Sequence, residues 1–334
     1  MALNLLGRVA MWQRAGLAVL VLVFLCTNTE AADRTFVVLG KSADDINFVD
    51  VLAGCQEQAR LHGDRCVQGG AKGTAHFRGQ NAALRSVIES GPDGIALSVT
   101  KGPFLAQNAL SDPRADEPVL ITFDSDFGPA FRDLRQAYVG PDNEQVGKEL
   151  AQMLLETDSR PGKVCFLSSD PKDTNLKERI EGARRHLETR SAWSEAERCP
   201  LYNGDSVNGA LKQLDFVLTK DVASAVISVG AWPVLAPERF STVVTRARAK
   251  GSERVPILVA TGSLRDVDFR LLANHKVDGF VSIDFREMGR RVYDTLSQLS
   301  DGDRVPDFIE TPVVKVMSPI DATRDDESEH GSQH

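Results

Sequence analysis

No run of Lys and Arg gathers into a cluster or stripe in this sequence, and the formal net charge is -8. Together these argue against a nucleic-acid partner. Catalytic signatures are missing as well. There is no GxGxxG, no GxxxxGK[ST] and no GxSxG. CxxC does not occur, and the six His show no ligand spacing, so no metal site is expected. Carboxylates at strand exits could serve acid–base chemistry, but no motif pairs them with a nucleophile. The expectation is therefore a protein without cofactor that is not an enzyme. An exported enzyme is the competing reading. Long hydrophobic runs are also lacking. Residues 15–26 (AGLAVLVLVFLC) form an apolar run, well short of the roughly 20 residues that span a bilayer.

What is present begins with that run. Arg8 and Arg14 precede it, and TNTEAADR with its small residues follows. A basic start, a short apolar stretch and a small-residue exit describe a secretory signal peptide over residues 1–31. Export to an oxidising compartment gives the cysteines meaning. Cys55, Cys66, Cys165 and Cys199 remain after such a cut, and four cysteines allow three pairings. Cys55–Cys66 and Cys165–Cys199 are expected, because each joins neighbouring elements; the alternative is four buried thiols.

From residue 34 the chain alternates. TFVVL (35–39) is a short β-branched run, and residues 47–61 carry Phe48, Val51, Leu52 and Cys55 on one helical stripe. Strands at 65–68, 94–98 and 118–123 alternate with helices at 78–89 and 104–110. The pattern restarts with strands at 137–140, 163–167, 197–202, 225–228, 256–260 and 279–283. Helices fall at 144–156, 174–188, 207–218, 237–250, 264–273 and 285–299. A last extended piece covers 308–316, and residues 321–334 (DATRDDESEHGSQH) are expected to be disordered. Continuous apolar strands alternating with helices mean parallel sheet covered on both faces. So many βα units exceed one simple sheet. The predicted fold is α/β, two doubly wound parallel-sheet lobes. In such sheets ligands bind beyond the carboxyl ends of the strands. Those exits read KSADD (41–45), TKG (100–102), DSD (124–126), the segment 168–175, GAW (230–232), TGS (261–263) and Asp284.

Four segments resemble the ribose-binding-like periplasmic sugar-binding proteins of ABC transporters, which share a fold with the lactose-repressor ligand-binding core. INFVDVLAGCQEQA (46–59) looks like the family's first helix. PVLITFDSD (118–126) with AYVGPDN (137–143) looks like its strand, acid and hinge. NLKERIEGAR (175–184) looks like the segment whose arginine binds sugar, and SVGAW (228–232) like a glycine-aromatic strand exit. The resemblance spans residues 35–319. It implies three lobe crossings, near Pro141, Ile283 and Thr311. The lobes are then 33–141 plus 285–311 and 142–284 plus 312–320.

Sugar chemistry suits these residue types. A carboxylate accepts from adjacent hydroxyls, a guanidinium donates as a planar fork, and an aromatic ring covers an apolar sugar face. Asp124, with Ser125 beside it, is the candidate acceptor; a turn or cap residue is the competing reading. Arg179 is the candidate donor, matching the family arginine, and would otherwise be a solvated helix charge. Asn175 lies four residues earlier on the same helix face, or caps that helix. Trp232 and Phe48 are candidate stacking platforms or core aromatics. Asn47 offers an amide, and Asn143 is expected to cap a helix at the hinge. Two departures stand out. Thr261-Gly262-Ser263 falls where many relatives carry an aspartate, and Ile283 where many carry an amide, with Asp284 as a possible substitute or a helix cap.

The resemblance implies a monomeric, periplasmic solute-binding protein that closes on a small sugar-like molecule and delivers it to a membrane permease. The alternative partner is a membrane histidine kinase or chemoreceptor. A transcription regulator is disfavoured by the signal peptide and by the lack of an N-terminal helix-turn-helix.

Overall fold

Short β-branched runs and amphipathic stretches sort into strands and helices along most of the chain. The computed structural model describes residues 33–73, 75–111, 118–158, 160–190, 193–249 and 255–318. The expected signal segment and polar tail lie outside the described residues. The first half runs β1 (Thr35–Leu39), α1 (Ile46–His62), β2 (Arg65–Gly69), α2 (Phe77–Glu89), β3 (Gly94–Leu97), α3 (Gly102–Ala106), β4 (Val119–Phe123) and β5 (Tyr138–Gly140). Next come α4 (Asn143–Thr157), β6 (Lys163–Ser168), α5 (Thr174–Arg190), β7 (Ser194–Glu195), β8 (Leu201–Tyr202) and α6 (Val207–Thr219). Then follow β9 (Ala225–Ser228), α7 (Pro237–Ala249), β10 (Ile257–Thr261), α8 (Asp266–Ala273) and β11 (Gly279–Ile283). The described chain closes with α9 (Phe285–Ser300), β12 (Phe308–Glu310) and β13 (Val313–Met317).

Two sheets result. The first has the order β12-β5-β4-β3-β1-β2, and all its pairings are parallel. The second has the order β13-β11-β10-β9-β6-β7, with β8 also on β6. The chain passes between sheets after β5, after β11 and again between β12 and β13. Each sheet is buried on both faces. Phe36 and Val38 of β1 join a core under α1 and α9, while Leu39 joins a core with Leu84 of α2. In the second sheet Val226 faces a core with α6 and α7, and its neighbours Ala225 and Ile227 face one with α4 and α5. Alternation within an all-apolar strand is what a doubly wound sheet requires.

Glycines bring the covering helices together. A methyl group at Gly54 would overlap the carbonyl of Arg286, and one at Gly289 the carbonyl of Val51, so α1 and α9 touch backbone to backbone. Gly147 and Gly182 do the same for α4 and α5, against the carbonyls of Arg179 and Glu144. This second contact seats the turn of α5 that carries Arg179. Disulfides Cys55–Cys66 (Cα–Cα 5.9 Å) and Cys165–Cys199 (5.3 Å) tie α1 to β2 and β6 to the segment before β8.

Four local expectations change. β13 runs antiparallel to β11, so the second sheet is not wholly parallel. The single extended piece expected over 308–316 is two strands in different sheets, β12 and β13. The strand expected over 197–202 shrinks to β8, because Pro200 lacks the N–H a ladder needs and a turn precedes it. The helix expected over 104–110 is the short α3 followed by turns. A 3-10 helix over Pro129–Leu134, started by its proline, was not expected from periodicity.

Candidate functional site

The carboxyl ends of both sheets face one cleft. Its cavity of about 520 Å³ is lined from both lobes, by the β1 exit, Asp124, the start of α5, the β9 and β10 exits and the start of α9. That volume lies in the range of small-molecule pockets.

Asp124 ends β4 in the left-handed region, with φ of 57°. Such a turn is tolerable for Asp and points its side chain off the strand line. Its backbone carbonyl accepts from the Tyr138 hydroxyl at 3.1 Å. Burial first, and then the Asp124 charge, hold that phenol well above its ordinary range, so it stays a donor. On the side chain, Ser98 Oγ donates to Oδ2 at 3.1 Å and Asn175 Nδ2 approaches Oδ1 at 3.5 Å. The residue is only 5% exposed.

Arg179 enters from the other lobe. Its Nε donates to Asn143 Oδ1 at 2.9 Å and Nη1 to the Val229 carbonyl at 2.9 Å. Nη2 is buried, has no hydrogen-bond partner among the described residues and stands 3.8 Å from Asp124 Oδ1. Burial pulls the guanidinium below its ordinary range, with Asp124 acting in the opposite sense; it remains a cation at any ordinary pH. An unpaired, buried, charged donor is costly unless something accepts from it.

Lys41, at the β1 exit, reaches across the cleft to Asp173 Oδ2 at 3.2 Å and Asn175 Oδ1 at 3.4 Å. Burial opposes its charge, but Asp173, Asp124 and Asp205 outweigh that and raise its pKa. Asp173 is itself pushed up by burial, partly offset by Lys41. The two lobes therefore meet through polar contacts inside the cleft. Asn47 adds to them, its amide oxygen lying against Gly262 where a side chain would not fit.

Of the residues singled out from sequence, Asn47, Phe48, Asp124, Asn175, Arg179 and Trp232 all line the cavity. Phe48 is seated on Gly40 and meets Phe123 edge-on at 5.8 Å between ring centroids. Trp232 folds over Gly230, whose missing side chain leaves room for the indole. Ser125 and Asp284 are not brought there. Ser125 is buried, its carbonyl accepting from Val99 N–H. Asp284 is the exposed N-cap of α9 and accepts from Glu287 N–H at 2.9 Å. Ile283 does line the cavity, with an apolar side chain. Asn143 is not the α4 cap. Asp142 is, and Asn143 orients Arg179 instead. Asp126 pairs with Arg135 at 2.8 Å, away from the cavity lining. Lys41, Asp45, Asp173 and Asp205 were not singled out, although each lies in or just after a strand exit. Position at an exit was the available signal. Charge type alone could not separate them from loop residues.

The family model described as a periplasmic binding protein domain matches residues 36–304. No curated protein matches the sequence. Among solved structures, the chain is similar to GanP, a glucose-galactose binding protein from Geobacillus stearothermophilus, at 18% identity and a TM-score of 0.72, covering 86% of this chain and 98% of that one. It is also similar to an ABC transporter solute binding protein from Agrobacterium vitis bound with alpha-D-tagatopyranose, at 18% identity and a TM-score of 0.74, covering 86% and 95%. A structure described as the XylFII-LytSN complex matches at 18% identity and a TM-score of 0.68, covering 86% and 98%.

Proposed function

Because the chain belongs to the periplasmic binding protein family, we propose that it is an exported, monomeric solute-binding protein, not an enzyme, that captures a sugar or sugar-like molecule in its cleft and delivers it to the permease of an ABC transporter. One observation carries the ligand class. Arg179 Nη2 lacks a partner and faces Asp124 Oδ1 across 3.8 Å. The group that satisfies both must accept from a guanidinium and donate to a carboxylate. A hydroxyl does both with one oxygen. Phe48 and Trp232, one from each lobe, supply apolar surface for the C–H faces of a ring. The bound sugars and sugar names of the similar structures support the same class.

In this reading, closure on the ligand is a population shift between open and closed lobes. The closed shape is what the membrane partner recognises. Presentation to a membrane histidine kinase or chemoreceptor is the second reading, favoured by a chain of this fold occurring in a XylFII-LytSN complex. Calorimetry against pentoses, hexoses and polyols, on protein freed of carried-over ligand, tests the binding function. Heat of binding with at least one of them is expected, and silence from the whole panel would overturn it. Neighbouring genes for a permease and ATPase, as against a kinase, separate the two partners.

A further inference from the structure

The cleft holds more carboxylates than its own cations match. Asp44, Asp45, Asp124, Asp173 and Asp205 line it against Lys41 and Arg179. The charges divide by depth. Lys41 with Asp173, and Arg179 with Asp124, have side chains between 6% and 12% exposed and form two opposite-charge pairs. The buried floor is therefore formally neutral. The other three carboxylates are exposed at the rim. Asp44 is held by the Ser42 hydroxyl at 2.6 Å and Gly73 N–H at 2.8 Å, with Lys72 nearby. Asp45 and Asp205 make no ion pair of their own among the described residues.

These two come from opposite lobes. Asp45 caps α1, its Oδ1 taking the Asn47 N–H at 2.9 Å, and Asp205 Oδ1 takes the Ser169 hydroxyl at 2.6 Å. Among the described residues, no protein group donates to the second oxygen of either carboxylate. One side of Asp45 lies against the cleft wall while its rim edge stays open to solvent; that partial burial, and then the like charges of Asp124 and Asp205, hold its carboxyl above the ordinary range. Asp205 also acts on Lys41 and Asp173, so all four groups share one field. The rim carboxylates do not form a metal cluster: among the described residues no group of three or more His, Cys, Asp or Glu is placed to hold an ion. In the same cavity, Arg179 Nη2 is buried without a hydrogen-bond partner among the described residues, 3.8 Å from Asp124 Oδ1, and so presents a free donor to a ligand acceptor on the floor.

We infer that the solute is an amine-bearing sugar, such as an amino sugar, whose hydroxyls meet Asp124 and Arg179 while its ammonium lies between Asp45 and Asp205. This rests on the reading of the cleft as a sugar site and narrows it. Closing the lobes brings two like charges toward each other. An ammonium, with three donors and one positive charge, turns that repulsion into attraction. A neutral sugar leaves it in place. The cationic ligand thus binds the closed form selectively, which is what drives closure.

The test is calorimetry on the mature chain with matched sets: glucose, glucosamine and N-acetylglucosamine, then the galactose and mannose equivalents. At least one free amine should bind about tenfold more tightly than its neutral parent, a ratio set by two partly exposed ion pairs. N-acetylation, which removes the charge, should abolish that preference. In Asp45→Asn/Asp205→Asn the preference should vanish, while the asparagine keeps the α1 cap. Neutral parents binding as tightly as their amines would overturn the charge inference and leave the sugar reading standing. A preference that survives the double substitution would overturn the placement of the ammonium. If no member of any set binds, the sugar reading itself fails, and this inference with it.

Discussion

Asp124 does two jobs through one backbone angle. Its φ of 57° turns the carboxylate toward Arg179, and its carbonyl is held by Tyr138. This decides which substitution tests it. Alanine in the left-handed region costs about 1–2 kcal/mol of backbone strain, so a loss of binding would be ambiguous. Asparagine tolerates that region and removes only the charge. Asp124→Asn should weaken the ligand by about 10–100-fold, the worth of a charge-assisted hydrogen bond, with the fold kept but some thermal stability lost, because the buried Arg179 charge loses its facing carboxylate. Arg179→Lys should lose a similar amount. A lysine cannot hold Asn143 and Val229 and still present a second donor to the cleft. Calorimetry with whichever sugar binds best, beside a melting curve, reads both. Wild-type affinity in Asp124→Asn would return this residue to a turn role.

At the scale of elements, the helix pair α4 and α5 is a bearing for Arg179. Gly147 lies against the carbonyl of Arg179 itself, and Gly182 against that of Glu144. Gly182→Ala should force the helices apart, destabilise the protein by about 1–3 kcal/mol and also weaken binding, since the guanidinium moves with its helix. Chemical denaturation and calorimetry together check this; lost stability with intact affinity would uncouple the bearing from the site. The disulfides act on the unfolded chain. Their separations are 11 and 34 residues, and chain entropy assigns them about 3 and about 4 kcal/mol. Thiol titration of the unreduced, denatured mature protein should find no free thiol. Cys165→Ser/Cys199→Ser should then lose more stability than Cys55→Ser/Cys66→Ser.

For the whole molecule, the decisive feature is that the lobes touch through polar groups that are also cleft lining. Lys41 joins Asp173 and Asn175 across the gap. Remove that cation and the floor keeps Asp173 and Asp124 with less positive charge to hold them together. Lys41→Met should therefore favour the open form, increase the radius of gyration of the ligand-free protein in solution scattering, and weaken binding. Affinity falls in proportion to the lost closed population. An unchanged scattering profile would show that Lys41 does not contribute to closure.

The alternation of apolar strands with helices was legible in the sequence because each sheet is buried on both faces, which imposes continuous apolar runs. Strand exits were legible for the same reason, since a run of core residues that breaks into polar ones marks its own end. Asp124, Arg179 and Phe48 follow from such exits and from the family resemblance. What only the tertiary structure decided was pairing. Asp124 and Asp126 are two residues apart and chemically identical, yet one faces Arg179 and the other Arg135. Lys41 and Asp173 are 132 residues apart and meet. Asp284 ends β11 as Asp124 ends β4, but it caps a helix at the surface. Side-chain direction depends on a single φ, on helix capping and on how two lobes rest together, and none of these leaves a periodic trace in one chain read alone.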